Sequence, residues 1–502
     1  ATFTLNDPAD ASKGPPDYRM SGKLEFDHRR LAASEFIFET GPLQDPYTAE
    51  GKADLDLGGE PRFAIEATGA QFRFDDRIGD DAKGSLTLER RIAAIKSFVA
   101  ALPKPSIPGS VEVRLPAVVA GDTTFRDVRL SAEPAPGGWT LKQFAISMPG
   151  RTTLEADGFV ATTDEDVSFS GNMLLAVGQP SGFASWLSRD VDDAIRRMPR
   201  AGFSAKVDLA SGRQAFDDLT LQLGDARFAG RLDSVTPDDA KPSLLLSLDG
   251  GELDVEGLAA FASLFVTDAG RTRVEGRDLD LKVSAGPVSA GGLTAGRLET
   301  ALRLKDGRLD IDRLMLSDVS GANLSATGTI DGFPAQPSGS LGAAIVADAL
   351  GPLAGVLGER YPDNRVAVAL ARRFSGLSEL GRDARINLVA TATQARGGPH
   401  YALSAGGTMG GGEFTLAYTA TGSPVAPDTI DVDLTAQNKD GAELLALYGV
   451  PTLPLGGAGP ATTELTLKGA PDKGLETHGR LSGDTATATF DGTVTVVPES
   501  VT

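Results

Sequence analysis

The sequence predicts a mainly β protein: an elongated, repetitive antiparallel sheet with short interspersed helices. Three observations predict it. Apolar and polar residues alternate with period two through most of the chain. Gly, Asp and Pro break that alternation at hairpin distance. A helix with a handful of strands recurs about every ninety residues over the C-terminal half, the mark of a repeat architecture.

The alternation is plainest in the middle of the chain. Leu279, Leu281 and Val283 share one face of a strand, with Asp280 and Lys282 on the other. Leu298, Leu302 and Leu304 repeat the pattern, as do Leu309 and Ile311, Leu314 and Leu316, and Leu219, Leu221 and Leu223. Lys305-Asp-Gly307-Arg308, Pro136-Gly137-Gly138 and Asp331-Gly332-Phe333-Pro334 supply the turns. Roughly thirty candidate strands follow, most of the usual five or six residues.

A longer phrase recurs in different spelling. Trp139–Met148 followed by Leu154–Val160 matches Gly307–Leu316 followed by Leu324–Ile330, and Gly158 and Gly328 hold equivalent places in the two copies. Looser copies run from Ser211 to Leu232 and from Lys23 to Leu57. The unit reads as strand, turn, strand, Gly, strand.

Helical spacing appears between the strands. Ile92, Ile95, Phe98, Val99 and Leu102 share one helix face; Phe183, Trp186, Leu187, Val191, Ile195 and Met198 share another. Three further helices are expected to open at Asp254, Asp348 and Asp440, where a carboxylate caps free N–H groups and meets the positive end of the dipole. Three regions result: an N-terminal β-repeat region over 1–180 with a helix near 89–102, middle β-repeats over 181–347 with helices near 183–198 and 254–265, and C-terminal β-repeats over 348–502 with helices near 348–358 and 440–448. Spacing in the N-terminal third is irregular.

Composition narrows function. The chain has 502 residues and a formal charge of −20, with 68 acidic and 48 basic residues in no dominant block. That balance argues against nucleic acid, whose affinity comes chiefly from Lys and Arg on phosphates. Zero Cys excludes disulfides and thiolate metal sites. No run of eighteen apolar residues is present, so no helical membrane span is expected. The opening Ala1-Thr-Phe-Thr-Leu5 already alternates like a strand, without Met or an apolar leader, and suggests an excised or processed fragment.

No catalytic centre, metal site or cofactor site is expected. His28, His400 and His478 stand far apart in sequence. There is no nucleophile elbow, no phosphate loop and no zinc-protease helix motif. The Gly-rich run Gly406–Gly412 lies between strand patterns, so it reads as a bulged turn rather than a phosphate cradle. Asp431 and Asp433, like Asp278 and Asp280, fall on the outward side of strands and read as a solvated face, not a calcium site. Arg196-Arg197 suits either an anionic headgroup or the helix dipole.

Self-packed cores and an open groove compete to bury the apolar faces. Two sheets packed face to face, or closed barrels, would follow the general rule that apolar faces meet protein. An open groove is favoured by the scarcity of large aromatics, the few short helices, and the lack of alternating βα order.

A resemblance bears on this choice. Leu248-Asp-Gly-Gly-Glu-Leu253-Asp-Val-Glu-Gly-Leu258 resembles the segment preceding a short helix in the AsmA family of Gram-negative bacteria. Ala436–Pro451 resembles the same element, and the Leu-x-Leu and Gly-x-Ile hairpins resemble that family's strand repeats. The resemblance implies a long sheet curved into an apolar groove. It further implies a periplasmic protein anchored in the inner membrane by an N-terminal helix, here missing, with phospholipid acyl chains as its partners. The implied function is carriage of phospholipid between inner and outer membranes in support of the envelope. The groove candidates are then Leu219, Leu221, Leu223, Leu279, Leu281, Val283, Leu298, Leu302, Leu304, Leu309, Ile311, Leu314 and Leu316. Uniform burial worth about 0.8 kcal/mol per methylene would bind a sixteen-carbon chain by ~13 kcal/mol yet let it slide. The alternative is a structural or adhesive envelope β-repeat protein with closed cores.

Overall fold

The computed structural model describes residues 2–6, 18–40, 47–73, 96, 99, 105–120, 123–162, 166–187, 191–237, 240–265, 277–333, 336–362, 368, 371–372, 381–395, 398–423, 427–447, 459–484 and 487–494. The protein is mainly β and divides into two compact units, Ala1–Arg277 and Asp278–Thr502.

The first unit holds β1 (Thr2–Asn6), β2 (Tyr18–Phe26), β3 (Arg30–Thr40), β4 (Tyr47–Asp56), β5 (Arg62–Arg73), β6 (Gly109–Ala120), β7 (Thr123–Ala135), β8 (Gly138–Met148), β9 (Thr152–Thr162) and β10 (Val167–Val177). Helices α1 (Pro180–Leu187) and α2 (Asp193–Arg197) follow. Then come β11 (Ala201–Ala210), β12 (Arg213–Leu223), β13 (Ala226–Val235), β14 (Ser243–Gly250), the short β15 (Leu253–Asp254) and α3 (Val255–Ser263). From β1 to β14 each strand pairs with the next, antiparallel except where β5 and β6 run parallel. The sequence-based expectation of a purely antiparallel sheet misses this pair. A parallel pair requires a long crossover, commonly helical, and the helix expected near 89–102 lies in that connection. Of its residues only Lys96 and Val99 are described, and both are helical. Lys96 Nζ reaches Asp166 Oδ1 at 3.2 Å and Ser211 Oγ at 2.9 Å. The Ser211 hydroxyl, with help from Lys96, holds the Asp166 carboxyl at about 2.

The second unit contains β16 (Asp278–Ala285), the small hairpin β17 (Val288–Ala290) and β18 (Leu293–Ala295), then β19 (Arg297–Lys305), β20 (Arg308–Val319), β21 (Ala322–Asp331) and β22 (Ser338–Ala349). Helix α4 (Gly351–Arg360) precedes β23 (Arg382–Ala395), β24 (Gly398–Met409), β25 (Gly412–Gly422) and β26 (Pro427–Asn438). Helix α5 (Gly441–Leu447) precedes β27 (Ala461–Ala470), β28 (Gly474–Gly483) and β29 (Thr487–Val494). Apart from the small hairpin, these strands form one antiparallel succession from β16 to β29.

Most strands run nine to thirteen residues, longer than the five or six expected from sequence. The recurring phrase explains the error. In β8 and β20 the apolar spacing skips a residue, at Lys142-Gln143 and Asp312-Arg313, and the ladder absorbs the extra residue as a bulge. Both bulge residues point outward and are exposed. Gly158 and Gly328 sit opposite the residue before the bulge, Leu141 and Ile311. The strand therefore continues where the sequence pattern breaks. Ser34-Glu35 and Asp217-Asp218 make equivalent bulges in β3 and β12. The Gly406–Gly412 run resolves into an unbroken ladder closed by Gly410 and Gly411, with φ of 56° and 73°. Two successive positive φ values define the hairpin turn whose twist matches the strands; the turn carries no bulge.

Four strands separate α2 from α3 (β11–β14), and four separate α4 from α5 (β23–β26). An even number of antiparallel strands returns the chain to the edge it left, so within each unit the helices line one long edge of the sheet. Asp254 caps α3 by accepting from Gly257 N at 3.0 Å, and Asp440 accepts from Ala442 N at 3.0 Å ahead of α5. Asp348 does not cap: it remains in β22, and α4 begins after Leu350 with Pro352 in its first turn. The helix expected over 183–198 is two helices, because extended Asp192 caps a new one, accepting from Ala194 N.

Full burial concentrates at these helix edges. In the first unit Val177, Phe183, Ile195, Phe228 and Phe261 are each no more than 3% exposed. Phe125, Trp186, Phe183, Phe265 and Phe261 form a continuous run of ring contacts, and Trp186 Nε1 donates to Thr123 Oγ1 at 2.7 Å. In the second unit Val319, Ala322, Ala347, Ala384, Leu350 and Leu353 form the corresponding cluster beside α4.

Gly158 and Gly171 face each other across β9 and β10, and a Cβ at Gly158 (φ 150°) would strike the Ser170 carbonyl oxygen and lie 2.6 Å from Gly171 Cα. Gly158→Ala is expected to destabilise the first unit by about 1–3 kcal/mol. Both tryptophans of the chain, Trp139 and Trp186, lie in that unit, so the shift is read from denaturant unfolding followed by tryptophan fluorescence.

Candidate functional site: the apolar face of the sheet

Following the cross-strand partners gives the composition of each face directly. In the second unit one row runs Leu279, Leu304, Leu309, Ile330, Gly339, Ala392, Tyr401, Ala420, Ile430, Gly469, Leu475, Val494. The next begins Leu281, Leu302, Ile311, Gly328, Leu341 and ends at Thr477 and Gly492. A third passes from Val283 through Thr300, Leu314, Leu388, Leu416 and Leu434 to Phe490. A fourth passes from Ala285 through Leu298, Leu316, Leu324, Ile345 and Ile386 to Ala488. No charged residue stands in any of the four rows. Apart from the two tyrosines, the polar members are Thr300, Thr463 and Thr477. At a strand spacing of about 4.8 Å the rows extend for about 50 Å across this unit.

The ten second-unit candidates predicted from sequence, from Leu279 to Leu316, fall together in these rows on the three adjacent strands β16, β19 and β20. All ten are half-buried. Beyond them, Leu475 is the one large side chain of the four rows that is fully buried; the other Leu, Ile, Val, Phe and Tyr members retain solvent exposure. The apolar face is therefore a real surface, flanked along the helix edge by the buried cluster.

The first unit repeats the pattern. One row runs without a polar residue from Phe3 through Phe36, Val113, Leu130, Phe144 and Met173 to Ala205. A second runs from Leu24 through Ile65, Val111, Leu141, Val207 and Phe216 to Leu246. The three candidates here differ from those of the second unit. Leu219 and Leu221, 7% and 8% exposed, are covered near the helix edge, whereas Leu223 is half-buried.

The opposite face is mainly polar and internally paired, with single apolar side chains such as Met315, Val346 and Val389 among the charges. Lys23 meets Glu35 at 2.8 Å, Lys52 meets Glu66 at 3.0 Å, Arg303 meets Asp312 at 3.0 Å and Lys468 meets Asp431 at 3.1 Å. Arg30 and Asp54 form a further cross-strand pair. Such exposed pairs add little stability each, but they keep the outer face hydrated and fix which face is which. His478 pairs across the strands with Asp491 (Nδ1 to Oδ1 2.6 Å). Arg196 Nε donates to Val191 O at 3.2 Å. Among the described residues no cluster of three or more His, Asp or Glu side chains is arranged to hold a metal ion.

Tyr401 and Tyr418 are among the members of the apolar face that sequence reasoning passed over. Their signal is present in the spacing Tyr401-Ala-Leu403 and Leu416-Ala-Tyr418, which puts each ring on the Leu side. The chain matches no protein-family model and no curated protein.

Asp233 joins two arginines on the outer face, Arg213 at 2.9 Å and Arg231 at 3.4 Å, with 16% of its side chain exposed. The Arg213 hydrogen bond, opposed by burial and aided by both guanidinium charges, holds its carboxyl below the usual range. A depressed folded pKa stabilises the fold above the unfolded value, about 3.9, and that contribution fades as pH falls through the folded value. Asp233→Asn is thus expected to lower unfolding free energy at pH 7, with a smaller gap from wild type at pH 3, measured by denaturant titration at both.

Proposed function

We propose that the chain is a non-catalytic carrier of phospholipid acyl chains, which lie along the apolar face of its sheet. The reading extends to an AsmA-like periplasmic protein, held to the inner membrane, that moves phospholipid toward the outer membrane; that part rests on the resemblance of Leu248–Leu258 and Ala436–Pro451.

One observation carries the proposal: four charge-free rows across β16 to β29 whose large side chains, Leu475 apart, keep solvent exposure. A self-filled core buries its large aliphatics almost completely. Exposed apolar surface of this extent marks a site of interaction. Each methylene that covers it gains about 0.8 kcal/mol, and near-uniform Leu, Ile, Val and Ala lining gives no deep local minimum to arrest movement. A closed-core structural protein accounts for the buried clusters at the helix edges, but not for the uncovered middle rows.

Photo-crosslinking residues placed at Leu281, Leu302 or Leu316 are expected to capture lipid, and those at Lys282 or Arg303 are not. Capture of protein alone at all three inward positions would overturn the proposal. Leu302→Asp is expected to abolish acyl-probe binding while lowering stability by only about 1–2 kcal/mol. A closed core would instead lose several kcal/mol, because the new charge would be buried without a partner.

A further inference from the structure

The hydroxyl groups on the apolar face of the second unit are of two kinds. Thr300, Thr463 and Thr477 each donate to a backbone carbonyl, at 3.3, 3.2 and 3.1 Å, so their polar atoms are satisfied within the sheet. The phenols of Tyr401 and Tyr418 have no protein hydrogen-bond partner among the described residues. Both tyrosines are half-buried, so each phenol is a donor open to a ligand acceptor.

The two rings are also neighbours. Tyr401 on β24 stands directly opposite Ala420 on β25, and Tyr418 is two residues before Ala420. That diagonal relation places the two side chains about 7 Å apart at their bases, within reach of one ligand group. Space lies beside them. Along its row Tyr401 is flanked by Ala392 and then Gly339 on one side and by Ala420 on the other, so its neighbours contribute no more than a methyl group. Toward β16–β20 the same row is lined by Leu279, Leu304 and Leu309. Burial alone pushes the Tyr418 phenol above its ordinary pKa, so it remains a neutral donor.

We propose that Tyr401 and Tyr418 form a polar station on the acyl path, where both phenols donate to the carbonyl oxygen of a bound acyl group, as carboxylate or ester. The inference rests on the reading of this face as acyl-binding and adds a place where the polar end of the chain is recognised. A lipid sliding over aliphatic rows meets no directional contact until its carbonyl reaches these two donors. There it gains hydrogen bonds without leaving the apolar surface.

The test compares the whole chain with Y401F, Y418F and the double variant, which remove only the hydroxyls. Three fluorescent probes are titrated: a labelled sixteen-carbon fatty acid, a phosphatidylcholine with one labelled chain, and diphenylhexatriene, which has no acceptor. The double variant is expected to bind at least one of the carbonyl probes about tenfold more weakly, and each single variant about threefold more weakly, while diphenylhexatriene affinity is unchanged. A loss confined to the fatty acid identifies a free carboxylate as the group held; a loss confined to the phosphatidylcholine identifies the ester. Equal carbonyl-probe affinity in wild type and double variant, with diphenylhexatriene still bound, overturns the station and leaves the acyl path intact. Failure of all three probes to bind wild type overturns the acyl path itself. Should the double variant lose all three probes together with its circular dichroism, the single variants decide.

Discussion

Side chains alternate faces along every strand, so a slip of one residue between neighbours would carry Leu302 to the outer face and Arg303 to the inner one. Everything else in each unit depends on that register being held across strand after strand. The ladders hold it through cross-strand ion pairs outside and aliphatic rows inside. Where the sequence inserts a residue, as at Asp312-Arg313, the bulge places both side chains outside and returns the next leucine, Leu314, to the inner rows. At the bulges of β8 and β20 the apolar face survives because the irregularity is exported to the polar one.

The helices respond to a second demand. A sheet with one apolar face must cover it or present it. In both units the helices and their aromatic or aliphatic partners cover the strand ends at one long edge, where Phe228, Ile195 and Leu444 are almost wholly enclosed. Among the described residues the helices are too short and too few to cover the middle rows. The step from α4 to α5 spans four strands, β23 to β26, in about ninety residues, whereas the step from Asp254 to Asp348 holds five strands and the small hairpin. The result in each unit is a protected rim beside a half-exposed apolar surface. On the proposed reading an acyl chain would supply that contact, because it is apolar along its length and adapts to small changes in lining.

The strand composition and the two-faced character were legible in the sequence because period two survives over long stretches such as Asp278–Val283 and Arg297–Lys305. Helix starts were legible where an Asp side chain can cap, as at Asp254 and Asp440. Asp348 misled because its acidic side chain is drawn into the end of β22, and Leu350-Gly-Pro352 opens the helix by backbone geometry instead. The parallel pairing of β5 and β6 left no local mark, since it depends on where a long connection returns. Strand length was underestimated because a bulge or a cross-strand glycine interrupts the pattern of residues without interrupting the hydrogen bonds. The candidate rows were readable one strand at a time. Their continuity, and the meeting of Tyr401 with Tyr418, required the register between strands that the sequence does not state.

The central claim is that the apolar rows of this sheet are covered by lipid. Native mass spectrometry of the chain purified without detergent, with the released small molecules then identified, tests it most directly. The account predicts adducts with the masses of phospholipids that are lost in the Leu302→Asp variant. A mass equal to that of the polypeptide alone, in protein that remains folded and monomeric, would contradict it.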